Sequence, residues 1–136
     1  MRKLFVMVSG ALLSLFSSSG RSQPQGTLRA DMSCERIDAP GRIRCEVEAR
    51  VASGESIATG DVIIVRTPPF IMALRGRIGP NEATTREADL WRWAFAVAAR
   101  ERGSGDVEAR ARVVVCHSGV CEPRQARVAA HVVVGE

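Results

Sequence analysis

The chain has no tyrosine, no lysine beyond Lys3, no Cys-x-x-Cys-His and no apolar run long enough to cross a bilayer. A helical span needs about 20 apolar residues. The stretch Leu4 to Phe16 covers only 13, and nothing later is longer, so no membrane span is expected in the mature chain. Without Cys-x-x-Cys-His there is no haem attachment of the c type. Aromatic residues make up 4% of the chain, and its arginines alternate with acids, as in Arg42, Arg44, Glu46, Glu48, Arg50 and again in Asp106, Glu108, Arg110, Arg112. A nucleic-acid footprint is a one-signed stripe, usually with exposed aromatics, so no nucleic-acid partner is expected. Two histidines and scattered serines support no hydrolytic triad, and no tandem repeat or low-complexity tract is present.

What the chain does have begins with Met1-Arg2-Lys3, then the apolar run, then Ser17-Ser18-Ser19-Gly20, the order and length of a signal peptide. The reading is a signal peptide over 1–20, a polar lead-in with Pro24 over 21–26, and one domain over 27–136 in a periplasmic or secreted protein. Cleavage is expected after Gly20, with Ser19 nearly as good, and no cysteine lies nearby to carry a lipid anchor. Removing Arg2 and Lys3 takes the formal charge from +4 to +2, so part of the basicity belongs to the targeting segment. About 116 residues suffice for one modest core.

Period-two alternation dominates the remainder. Leu28, Ala30, Met32 and Cys34 share one face of a first strand. After the Pro40-Gly41 turn, Ile43, Cys45, Val47, Ala49 and Val51 face one way and charged residues the other. Ser53 to Gly60 reads as a loop, Val62-Ile63-Ile64-Val65 as a strand, Phe70 to Leu74 as a short strand, Gly79-Pro80-Asn81 as a loop and Ala83 to Leu90 as an outer strand. Trp91, Trp93, Phe95 and Val97 form an inward stripe, and Gly103-Ser104-Gly105 turns the chain into the last two strands. There Val107, Ala109, Ala111, Val113 and Val115 point inward, as do Ala126, Val128, Ala130, Val132 and Val134. The sum is an all-β chain: an immunoglobulin-like β-sandwich of seven or eight short antiparallel strands, with a small barrel as the alternative.

Four cysteines allow three pairings. Parity places Cys34 and Cys45 on apolar faces of consecutive strands and puts Cys116 and Cys121 on the outer face, across the loop His117-Ser118-Gly119-Val120. The expected bridges are therefore Cys34 to Cys45 and Cys116 to Cys121. Cys116, Cys121 and His131 share a face, but ten residues of strand put His131 roughly 30 Å from Cys121, which excludes one shared metal. No metal or other cofactor is expected.

The stretch Val113 to Val134, with Cys116-His-Ser-Gly-Val-Cys121-Glu-Pro123 between two strands, resembles the terminal hairpin of the N-terminal periplasmic domain of the thiol:disulfide interchange family of reductant transporters. The resemblance implies that Cys116 and Cys121 are a redox pair passing electrons to an exported thioredoxin-like partner. It further implies that Cys121 forms the mixed disulfide and that Pro123 matches the proline usual after it. His117, beside Cys116, would then modulate the thiol through its charge. Cys34 and Cys45 are the structural bridge. The alternative is a non-catalytic exported interaction module in which both disulfides are permanent.

The signal-peptide reading fixes an observable. Mass spectrometry of the exported protein should place its N-terminus between Ser18 and Gln23, and an intact Met1 contradicts that reading.

Overall fold

The computed structural model describes residues 27–135; the expected signal peptide, the lead-in and Glu136 lie outside the described residues. Nine strands follow in order: β1 (Arg29–Cys34), β2 (Gly41–Arg50), β3 (Ser56–Arg66), β4 (Ile71–Ala73), β5 (Arg77–Ile78), β6 (Ala83–Arg86), β7 (Leu90–Ala99), β8 (Gly103–His117) and β9 (Val120–Val134). A single 3-10 turn, Pro80–Glu82, opens with proline in its first turn, where no backbone N–H is required. No α-helix occurs among the described residues.

Alternation of apolar and polar residues gives each long strand one buried face, and two such faces cover each other. One sheet runs β1-β2-β7-β4, with β6 also pairing β7, and the other runs β5-β3-β8-β9. All strand pairs are antiparallel. The first, second and seventh strands against the third, eighth and ninth reproduce the ABE and CFG arrangement of an immunoglobulin-type sandwich, with β4 and β6 in the D position. On one side the two sheets are joined where Ile37 bridges Val134 in parallel and Gly135 donates to the Ile37 carbonyl at 2.9 Å.

Toward the β8–β9 turn, Val47, Ala49, Trp91 and Trp93 pack on Ile57, Val62, Val113 and Val115. Toward the other end, Ile43, Cys45, Ile71 and Val97 pack on Val107, Val132 and Val134. Trp93 is wholly buried, its ring 5.7 Å from that of Trp91, and its indole N–H donates to the Gly79 carbonyl at 3.3 Å. Burying that polar atom without an acceptor would be costly, so the loop carbonyl completes the site. Gly60 is required by close approach: a Cβ there would lie 2.9 Å from both the Arg112 carbonyl oxygen and Val113 Cγ1.

The inward stripes expected on β2, β7, β8 and β9 are observed, with Phe95 and Ala126 only half-buried. Four expectations are corrected. The described residues form nine strands where seven or eight were expected, because the two-residue β5 carries too few residues to show a period. Ser56 to Gly60, expected as loop, belongs to β3: it pairs with β8, and a register shift between Ile57 and Thr59 interrupts the alternation that would have marked it. Gly103 to Gly105 are not a turn; they pair with Val134 to Val132, while Phe70 and Pro68 crowd Gly103 and Gly105. Finally, β8 and β9 are not short, each spanning 15 residues.

Because Trp93 fills the space between the sheets, Trp93→Ala should cost about 3 to 5 kcal/mol. Equilibrium urea unfolding measures this, and a loss below about 1 kcal/mol, the size of a surface effect, would contradict the packing described.

Candidate functional site

Both disulfides are those expected. Cys34 and Cys45 are directly opposed on β1 and β2, and Cys116 and Cys121 on β8 and β9, each with a Cα–Cα separation of 4.0 Å. That closeness marks positions where opposed residues do not exchange backbone hydrogen bonds. The next pair on the same face is Val114 with Pro123, so the proline N, which has no hydrogen, faces away from β8 toward the free edge of β9. The turn is tighter than expected. His117 pairs with Val120, leaving a two-residue connection with φ of 50° at Ser118 and 77° at Gly119. Positive φ at both central residues is the type I′ geometry that matches strand twist.

Cys45 is buried and Cys34 half-buried, whereas Cys116 is half-buried and Cys121 exposed. Ser56 Oγ donates to the Cys116 carbonyl at 3.4 Å. His117 is exposed at the end of the hairpin. His131 lies on the same strand face as Cys121 but is hydrogen-bonded to Asp106 at 2.8 Å. No cluster of three potential metal-ligating side chains occurs among the described residues.

The outer face of β3, β8 and β9 continues from this disulfide into a groove of about 480 Å³, with Asp61, Arg77, Arg112, Pro80, Pro123 and Gln125 in its lining. Asp61 is buried, 6% exposed. It faces Arg112 across the β3–β8 ladder. Arg112 donates from Nε to Oδ1 at 2.8 Å and from Nη2 to Oδ2 at 2.6 Å, and Arg77 donates from Nε to Oδ2 at 2.7 Å. The Arg112 fork, and then Arg77, hold the Asp61 carboxyl below its ordinary value of 3.8 against the opposing effect of burial. One negative charge therefore orients two positive ones.

A second network closes the sandwich beneath the hairpin. Arg124 is a charged residue with inward parity, opposite Val113, and its side chain is accordingly only 8% exposed. It is satisfied by Glu55, by Glu122 at 2.7 Å and by the Thr27 carbonyl at 3.5 Å. The Arg124 pairing lowers the Glu55 pKa, and Glu55 in turn raises that of Arg124.

Period and spacing along the sequence mark none of Asp61, Arg77 and Arg124. The available signal for Asp61 was a lone acid between Gly60 and the run Val62 to Val65, where an ionised carboxylate needs partners. For Arg124 it was a charge in phase with Ala126 and Val128. Their partners lie on other strands, which spacing along the chain does not reveal.

Together these features define a disulfide-bonded, immunoglobulin-like β-sandwich. No family model matches the chain, and no curated protein does. Among solved structures it is similar to AggA, the major subunit of aggregative adherence fimbriae type I from Escherichia coli, at 7% identity over 79% of this chain and 95% of that one, with a TM-score of 0.39. An ASH/PapD-like domain of a human protein is similar at 8% identity, over 98% of this chain and 100% of that one, with a TM-score of 0.41. Self-complemented MyfA, the major subunit of Myf fimbriae from Yersinia enterocolitica, is 15% identical over 78% of this chain and 98% of that one, with a TM-score of 0.34.

The depressed Asp61 pKa has a pH signature. A carboxylate with a lowered folded-state pKa contributes stability that is present above its unfolded value and lost as pH falls through the folded value. The urea midpoint of the wild type should therefore fall as pH drops below 3.8. Asp61→Asn should be less stable at pH 7 and decline less steeply in that acid window. Parallel pH profiles for the two proteins contradict the assignment.

Proposed function

We propose that the chain is an exported, non-catalytic interaction module whose two disulfides are permanent staples and whose outer face on β3, β8 and β9 receives its partner. One observation carries this reading: each bridge joins directly opposed residues and ties an edge strand, β1 or β9, to its neighbour. An edge strand is paired on one side only, with half its backbone groups unpaired, and a covalent link there protects the sheet margin. The loops closed are short, with sequence separations of 11 and 5, so each bridge contributes about 2 to 3 kcal/mol by restricting the unfolded chain. Persistent disulfides belong to oxidising compartments, which agrees with the signal-peptide pattern at the start of the sequence. Among the described residues no helix is long and apolar enough to cross a membrane.

A second reading has an observation in its favour. Cys121 is exposed, and an attacking thiolate must reach the sulfur it displaces. In this reading Cys116 and Cys121 exchange electrons with a thioredoxin-like exported partner, while Cys34 and Cys45 stay bridged and His117 tunes the thiol.

Incubation of the folded protein with a reduced thioredoxin-like dithiol separates the two readings. As staples, both bridges should remain oxidised until the protein unfolds, and Cys116→Ala, whose Cys121 thiolate can only attack a partner that is itself a disulfide, should trap none when mixed with the oxidised form of the same partner. Selective reduction of Cys116–Cys121, with a mixed disulfide accumulating on Cys121, overturns the module reading in favour of exchange.

A further inference from the structure

The outer face of β3, β8 and β9 carries Arg110, Arg112 and Arg127, with Arg77 beside them, against Asp61, Asp106 and Glu108, and two of these arginines are left without an ion pair among the described residues. Arg110 and Arg127 are directly opposed on β8 and β9. They lie in the same phase as Cys116–Cys121, so their Cβ atoms are at the closer of the two antiparallel spacings. Like charges so placed repel, and neither guanidinium forms an ion pair among the described residues. Two concavities lie on this face: the groove at Arg112 and Gln125, and a smaller one of about 130 Å³ that Arg127 lines together with Glu108. In the groove, Arg112 uses two N–H donors on Asp61 and Arg77 uses one. A guanidinium has five, so both keep donors for a ligand while Asp61 fixes their orientation.

We propose that this face binds an extended acidic peptide segment of a partner protein, with carboxylates on alternate residues engaging Arg112 and Arg77 and then Arg110 and Arg127. The proposal rests on the interaction-module reading and names the partner's chemistry. Arg112 and Arg110 are two residues apart on one strand face, about 6.6 to 6.8 Å, the spacing of alternate side chains along an extended peptide. Carboxylates match the planar guanidinium fork, which donates two parallel hydrogen bonds to them. Val114 and Pro123 give an apolar floor at the hairpin end of the groove. The face carries no Phe, Trp or Tyr on which a base would stack, and His131 is held by Asp106, so its arginines suit a peptide better than a single-stranded nucleic acid.

The test is fluorescence anisotropy at low salt with a labelled peptide alternating Glu and Thr. The same composition with all Glu in one block, and a single-stranded oligonucleotide, serve as comparisons. The alternating peptide should bind best. Arg110→Gln with Arg127→Gln should weaken it roughly tenfold or more, with the unfolding midpoint unchanged or raised. Gln125→Glu, which sets a competing carboxylate opposite Arg112 without removing an arginine, should weaken it as well. The proposal is overturned by no binding, by equal binding of the block peptide, by tighter binding of the oligonucleotide, or by variants that bind as wild type. Self-association lost in the double arginine variant, without peptide binding, would assign the face to a second copy instead. Because disulfide exchange is measured separately, loss of peptide binding with inert bridges refutes the groove assignment alone. Peptide binding with an exchanging hairpin refutes the module reading alone.

Discussion

The ladder between β8 and β9 holds the register on which the other placements depend. Its pairing runs unbroken from Gly103–Val134 to His117–Val120. Because side chains alternate with period two, a slip of one residue would send Val107, Ala109, Ala111, Val113 and Val115 to solvent and bring the arginines inward. Three local features oppose that slip. The two-residue turn accepts only residues that tolerate positive φ, the disulfide joins one opposed pair, and Pro123 is compatible only where no ladder donor is needed. The same register gives the outer face its order: disulfide, Val114–Pro123, Arg112–Gln125, Arg110–Arg127.

Charge is used differently at three places. On the other sheet Glu48 receives Arg92 at 2.8 Å and Arg50 at 2.8 Å, a partly exposed network that adds little stability by itself. Asp61 is buried, so removing Arg112 would leave its carboxylate with the single Arg77 bond in a poorly hydrated site; the Arg112 fork contributes geometry as much as energy. Arg124 stands where the apolar stripe of β9 ends, and it fills that end with a satisfied guanidinium rather than leaving it open. No buried side-chain nitrogen or oxygen among the described residues lacks a partner.

The apolar stripes were readable from the sequence because they depend only on period two within a strand. The same parity placed Cys45 inward and Cys116 and Cys121 outward, and so chose the disulfide pairing. Ser56 to Gly60 was misread because a bulge breaks the period there, and the hairpin loop because His117 and Val120 carry no turn signal that distinguishes two residues from four. The arginine face was hidden for a different reason. Along the chain Arg110 and Arg112 follow Asp106 and Glu108, so the segment looks balanced. Across the sheet Arg110 meets Arg127, and Arg112 shares Asp61 with Arg77. Charge balance in sequence therefore coexists with a local excess in space.

The β8–β9 register is the claim on which core, disulfide and arginine face all stand, and proton NMR reads it directly. Opposed residues that do not exchange backbone hydrogen bonds bring their Hα atoms together. Strong Hα–Hα contacts should join Cys116 to Cys121, Arg112 to Gln125 and Arg110 to Arg127. Contacts displaced by one residue, joining Arg110 to Ala126 or Val128, would contradict the account.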